Sequence, residues 1–161
     1  MTLASFLHSI CDLLGNRLGV PVVIGAPNND SAGVFLFPWK ISPNTLIRNS
    51  PPVRPGPATT PGSTTYFDVH ILVLTRPALT GDGLSQLESA SRAILESPII
   101  TVGTEQAELL FESLSNADLA AIFSAAGMPL SVCLSVMGRG IGYAPPPPIG
   151  PAMNLRDNRE V

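Results

Sequence analysis

The sequence predicts an α+β domain: a mostly antiparallel mixed sheet with about three helices packed on it, a long Pro-rich loop and an extended C-terminal tail. Three observations carry this reading. Apolar, β-branched runs of strand length recur at 20–24, 34–41, 64–75 and 130–137. Three other segments carry apolar residues at helical spacing with cap residues at their ends. Two proline-rich stretches, 50–63 and from 144 onward, interrupt or follow this pattern and cannot be regular structure. Residues 1–143 therefore read as one domain and 144–161 as a Pro-rich extended or flexible tail.

The first element is a helix. Leu3, Phe6, Leu7, Ile10, Leu13, Leu14 and Leu18 share one face, Thr2 is available as N-cap and Gly19 as terminator. Val20–Ile24 then reads as a short buried strand. Val34–Ile41 is a second strand, and Pro38 within it marks an edge position or a bulge, because proline cannot donate to a ladder. Thr64–Thr75 (TTYFDVHILVLT) is the strongest strand in the chain. Asp82 can cap a helix from about Gly83 to Glu96 that buries Leu84, Leu87, Ile94 and Leu95. Glu108–Leu114 reads as a further strand. Ser115 or Asn116 starts a helix through Ala126, closed by Gly127, with Leu119, Ile122 and Phe123 inward. Leu130–Met137 alternates and closes the sheet, giving the order α-β-β-β-α-β-α-β.

Composition narrows the function classes. Apolar residues make up 45% of the 161-residue chain and charged ones 13%, about half the usual share of the latter. A lone domain with so few charges covers itself poorly, which favours a surface hidden against other subunits. A net charge of −3 argues against binding nucleic acid through its phosphates. Apolar runs stay far below the roughly 20 residues a spanning helix needs. The start of the chain, MTLASFLHSICDLL, has no positive region and reads as helix rather than signal peptide. Cys11 and Cys133, far apart and outside any motif, read as buried thiols.

The candidate chemistry is thin. Ser5, His8 and Asp12 lie on one helix face, but consecutive turns of an exposed helix supply neither an oxyanion hole nor a pocket. Asp68 and His70 share a face of the central strand; they can pair as base and orienter, or each can hydrogen-bond across strands. Two histidines and two cysteines at no ligand spacing predict no metal site, and no cofactor is expected. Gly138–Gly142 (GRGIG) leads into prolines instead of a helix N-terminus, so strand termination explains it better than a phosphate loop. A PxxP match at Pro52–Pro55 is nearly inevitable in a loop this rich in proline.

Charge is distributed unevenly. From Lys40 to Arg76 four basic residues (Lys40, Arg48, Arg54, Arg76) face Asp68 alone, which is +3. From Asp82 to Asp118 seven acidic residues (Asp82, Glu88, Glu96, Glu105, Glu108, Glu112, Asp118) face Arg92 alone, which is −6. This is either a solvated acidic helix pair beside a basic loop, or two complementary faces that meet head to tail between subunits, as in a closed ring.

The stretch VFLFPWKISPNTLIRNS, followed by a variable loop and YFDVHILVLT, resembles the tail-terminator (cap) proteins of phage-tail-like contractile injection systems. AILESPII and LSNADLAAIFSAAGMPLSVCLSVM continue the likeness in order, so that it spans roughly residues 3–138. Phe123 stands where the family often has tryptophan, and Cys133 and Leu134 stand where it has an aromatic residue. The resemblance implies a non-enzymatic structural protein. It implies a homo-oligomeric ring, a hexamer in the family, at the baseplate-distal end of the particle, where it stops inner-tube and sheath polymerisation. The implied partners are the chain itself, the inner-tube protein and the sheath protein, with no nucleic acid and no membrane span, assembled in the cytoplasm as part of a particle. Pro43, Asn44, Arg48, Asn49 and Arg54 on one side, and Glu105, Glu108 and Glu112 on the other, are the expected interface residues. Arg48 is expected to reach a carboxylate on a neighbour. The rival readings are a small ligand-binding or enzymatic domain built on Asp68 and His70, and an adaptor whose proline segments recruit a partner.

Overall fold

The structure is a computed structural model that describes residues 1–27, 32–44, 65–77 and 80–143. The proline-rich loop, the tail, and the expected interface residues Arg48, Asn49 and Arg54 lie outside the described residues. The elements run α1 (Leu3–Leu18), β1 (Val22–Ile24), β2 (Gly33–Pro43), β3 (Thr65–Arg76), α2 (Gly81–Glu96), β4 (Ile99–Val102), β5 (Glu105–Phe111), α3 (Asn116–Ala125) and β6 (Cys133–Tyr143). One six-stranded sheet has the order β1-β2-β3-β6-β5-β4. Among the described residues only β1 on β2 is parallel, and the other pairs are antiparallel. The chain is α+β, as its sequence predicts.

Caps set the helix boundaries. The Thr2 hydroxyl accepts from the Ser5 N–H while Ser5 answers the Thr2 N–H, a reciprocal capping box. Gly19 ends α1 in the left-handed region at φ 66°, where a Cβ would be strained. Thr80, not Asp82, caps α2; Asp82 lies in the first turn, where a carboxylate favours the positive helix end. Ser115 caps α3 by accepting from the Asp118 N–H.

Helices α1 and α2 pack on one sheet face. Phe6, Leu7, Ile10 and Leu14 of α1 and Leu87, Ala90, Ala93 and Ile94 of α2 bury against Val34, Leu36, Val69, Ile71, Val73 and Val136. At the centre Phe6 has no exposed surface and its ring lies over Gly138, where an added Cβ would overlap the ring. Thus GRGIG does not end a strand: β6 runs through it to Tyr143 because a glycine there makes room for the deepest side chain of α1.

Other differences have local causes. Leu84 and Leu95 of α2 are 47% and 66% exposed, not buried, because the sheet-facing stripe runs through Leu87, Ala90, Ala93 and Ile94, where two alanines let the helix approach closely. Ile99–Val102, which carries no marked alternation, forms β4 and turns through Gly103 into β5. The β5 strand consequently starts at Glu105 and ends at Phe111, earlier than its composition indicates. Pro38 meets both of its expectations: pairing with β1 stops at Leu36, and the β2–β3 register shifts between Pro38 and Lys40.

Candidate functional site

Among the described residues, the opposite sheet face is covered over only part of its length. Phe123 of α3, with Met128 after it, packs on Phe35, Leu72 and Leu74. Leu119 and Ile122, expected inward, are half-buried against the same cluster. Beyond this patch the strand alternation that buries Val69, Ile71 and Val73 on the first face sends Asp68 and His70 to the second.

There the polar groups are tied across strands. His70, 6% exposed, bonds through Nε2 to the Ser42 hydroxyl at 3.0 Å and through Nδ1 to the Glu112 carboxylate at 3.0 and 3.1 Å. The Ser135 hydroxyl donates to the same carboxylate at 3.3 Å. Asp68 Oδ1 accepts from the Asn44 side-chain amide at 2.8 Å and from the Gly140 N–H at 3.3 Å, beside a register shift between Phe67 and Val69. Of the two readings of Asp68 and His70, cross-strand bonding is the observed one: they share a face, but each bonds to other partners. Serine, histidine and carboxylate stand in the connectivity of an acyl-transfer relay. That relay also needs donors for an oxyanion and room for an acyl group, and neither described cavity is lined by Ser42, His70 or Glu112. The bonds join β2, β3, β6 and the end of β5, and satisfy polar groups that burial would otherwise leave costly. Sequence reasoning missed Ser42 and Glu112 as His70 partners, because the pairing depends on a bulge in β2 and on the end of β5. On α1, His8 is bonded to its own helix through Nδ1 and the Ala4 carbonyl at 2.7 Å, and Ser5 serves the cap.

The expected interface residues fall in different settings. Pro43 is exposed at the end of β2, whereas Asn44 is 2% exposed, with its N–H on the Tyr66 carbonyl. Glu105 pairs with the Met1 amino group, and Glu112 is occupied by His70. Glu108 lies opposite Arg139 in register but has no ion-pair or hydrogen-bond partner among the described residues. Much of the acidic block is answered within the chain: Glu96 by Arg17, and Glu88 by Arg92.

Between these two zones, Phe37, Pro38 and Trp39 of β2 face Ala121, Ile122 and Ala125 of α3, and Ala126 beyond it, across an open groove of about 420 Å³. The Trp39 ring tilts against His70 at 5.4 Å between centroids. Its indole N–H is shielded and has no acceptor among the described residues. Among those residues no cluster of three or more histidine, cysteine or acidic side chains is placed to hold a metal ion. None of their helices is long and apolar enough to cross a membrane. Burial raises both thiols, Cys11 up to about 11 with the nearby Asp12 carboxylate adding to the shift.

No protein-family model and no curated protein matches the sequence. A solved structure does match: the sheath/tube terminator of an extracellular contractile injection system (PVC) in its extended state, with a TM-score of 0.66 at 11% identity. The chain has the fold of a sheath/tube terminator. The likeness covers 90% of this chain and 58% of that one, so the chain spans little more than half the length of its structural neighbour. At this identity the agreement is one of backbone architecture. The neighbour is a terminator of a contractile injection system, the kind of protein that the order of motifs in this sequence resembles.

Proposed function

We propose that this chain caps a contractile injection system. It forms a homo-oligomeric ring, a hexamer, at the baseplate-distal end, contacts inner-tube and sheath proteins, and ends their polymerisation without catalysing a reaction. The single observation that carries this reading is the terminator fold over 90% of the chain. Low charge supports it, as do eight large apolar side chains left exposed among the described residues, Leu95 and Leu130 at 66% each being two of them. So do the outer strands β1 and β4, whose outward edges pair with nothing among the described residues. A growing polymer end presents unpaired edges of this kind, and a ring that pairs them while offering no match beyond stops growth.

The ring contact runs from the segment Pro43, Asn44, Arg48, Asn49 and Arg54 of one copy to the acidic strand residues of the next. Among Glu105, Glu108 and Glu112, Glu108 is the carboxylate without a partner among the described residues, so Arg48 is proposed to meet it. Arg48→Glu yields a folded monomer, and Arg48→Glu combined with Glu108→Arg restores the ring. Solution mass and negative-stain images with the chain's own tube polymer test the reading. A strict monomer that ignores tube ends would overturn it.

A further inference from the structure

We infer that β4 of one copy pairs, as a parallel strand, with the C-terminal half of β2 in the next copy, so that the sheet continues from subunit to subunit. This rests on the ring reading and supplies the backbone contact that joins its copies. On one side, β1 covers β2 only at Val34–Leu36, and from Phe37 to Pro43 the outer edge of β2 pairs with nothing among the described residues. On the other, β4 has 4 residues and pairs with β5 alone, so the open stretch of β2 is longer than the strand it receives. From β2 through β3, β6 and β5 to β4 each neighbour is antiparallel, so β4 runs in the same direction as β2. A rotation that repeats the sheet head to tail therefore sets β4 parallel on β2, whereas a twofold axis sets β4 antiparallel on β4.

The free backbone groups match at one register. The Leu109 N–H donates to the Pro98 carbonyl, so by alternation Ile100 and Val102 turn their backbone groups to β5, and Ile99 and Thr101 turn theirs outward. The Asn44 N–H donates to the Tyr66 carbonyl, so Ser42 turns toward β3 and Ile41 outward. In a parallel ladder the slanted bonds of one residue reach the two that flank its opposite number. The Ile41 N–H then donates to the Ile99 carbonyl of the next copy, and the Ile41 carbonyl accepts from that copy's Thr101 N–H. Pro38 and Pro43, without an N–H, stand on either side of Ile41 and keep the edge from pairing with longer strands.

Side chains agree with this register. It covers Ile41, 55% exposed, with Ile100 of the next copy beside it, and sets Ile99, 49% exposed, beside Lys40. Lys40 shares the second face with its register partner His70, is exposed, and has no ion pair among the described residues. Glu108 lies opposite Ile99 in β5, so the Lys40 and Glu108 backbones come two strand spacings apart, about 10 Å, which their side chains span. Lys40 thus meets the same carboxylate as Arg48, and β1 is the outer strand left for the tube or sheath.

Two measurements on the full chain test the joint. Thr101→Pro removes an N–H that β5 does not use; it lowers the solution mass from ring to monomer with circular dichroism unchanged, while Thr101→Val keeps the ring. Lys40→Cys and Ile99→Cys in one chain, neighbours across the joint, give a ladder of disulfide-linked copies under mild oxidation, above the background that Cys11 and Cys133 set in the unaltered chain. Each single variant gives no ladder. A ring that persists in Thr101→Pro, or a double variant that forms no ladder, overturns the strand joint and leaves the ring reading standing. Linked dimers from Ile99→Cys alone also overturn it, because they mark β4 on β4. An unaltered chain that stays a monomer overturns the joint and the ring together.

Discussion

Against α1 and α2 the sheet is dry. Val34, Leu36, Val69, Ile71, Val73 and Val136 meet two helices, and each is at most 2% exposed. The same strands, one residue out of phase, present a short apolar patch under α3 and then a band of serine, histidine and carboxylate groups held by cross-strand bonds. A period of two gives one strand two jobs. The first face supplies most of the burial that holds the fold. Among the described residues the second is covered only in part, and carries a groove and a polar band beside the α3 patch.

Breaking the first face should have the largest effect. Phe6→Ala removes a fully buried ring and is expected to cost about 3–5 kcal/mol. Gly138→Ala forces a methyl group into that ring from below and costs about 1–3 kcal/mol. The two are in contact, so the Gly138→Ala penalty shrinks when Phe6 is replaced by the smaller leucine, and a double-mutant cycle in urea measures that coupling. Equal penalties in both backgrounds would mean that the ring does not set the glycine requirement.

On the second face the expected losses are smaller. His70→Ala strips Ser42 and Glu112 of their shared partner and costs about 1–3 kcal/mol, less than Phe6→Ala because Glu112 is partly open to water. Ser115→Ala removes the α3 cap and costs about 1 kcal/mol, read as faster amide exchange in α3 while α1 keeps its protection.

Legibility in the sequence divides along the same line. The first face was readable because its rules are local: helical spacing from Leu3 to Leu18, the Thr2 and Gly19 caps, and the β-branched run before Thr75 each need only their own neighbours. Leu84 and Leu95 mislead for a related reason. Spacing shows that a stripe exists, while the close approach allowed by Ala90 and Ala93 decides where it faces. The second face was hidden because its bonds depend on register. Ser42 meets His70 only through the shift after Pro38, and Glu112 only through the end of β5, which composition alone places too late. Glycine alternation at 138–142 has no local signature of the Phe6 ring above it.

The smallest effects sharpen the comparison, because each face carries one thiol. Cys11 packs against the α1–α2 core and Cys133 against the α3 cluster, and burial raises both pKa values, Cys11 from 9.0 to about 11. The unfolded Cys11 thiol ionises near 9 while the folded one keeps its proton to about 11, so across that window the unfolded chain binds fewer protons. Stability therefore falls modestly as pH rises through it, and Cys11→Ser flattens that slope. At pH 8 both thiols stay protonated and alkylate slowly in the native chain. Ser115→Ala then separates them: loosening α3 speeds alkylation at Cys133 and leaves Cys11 at the native rate, as peptide mass mapping of the labelled sites would record. Equal acceleration at both cysteines would show that the two faces open together, and that α3 belongs to the same cooperative unit as α1 and α2.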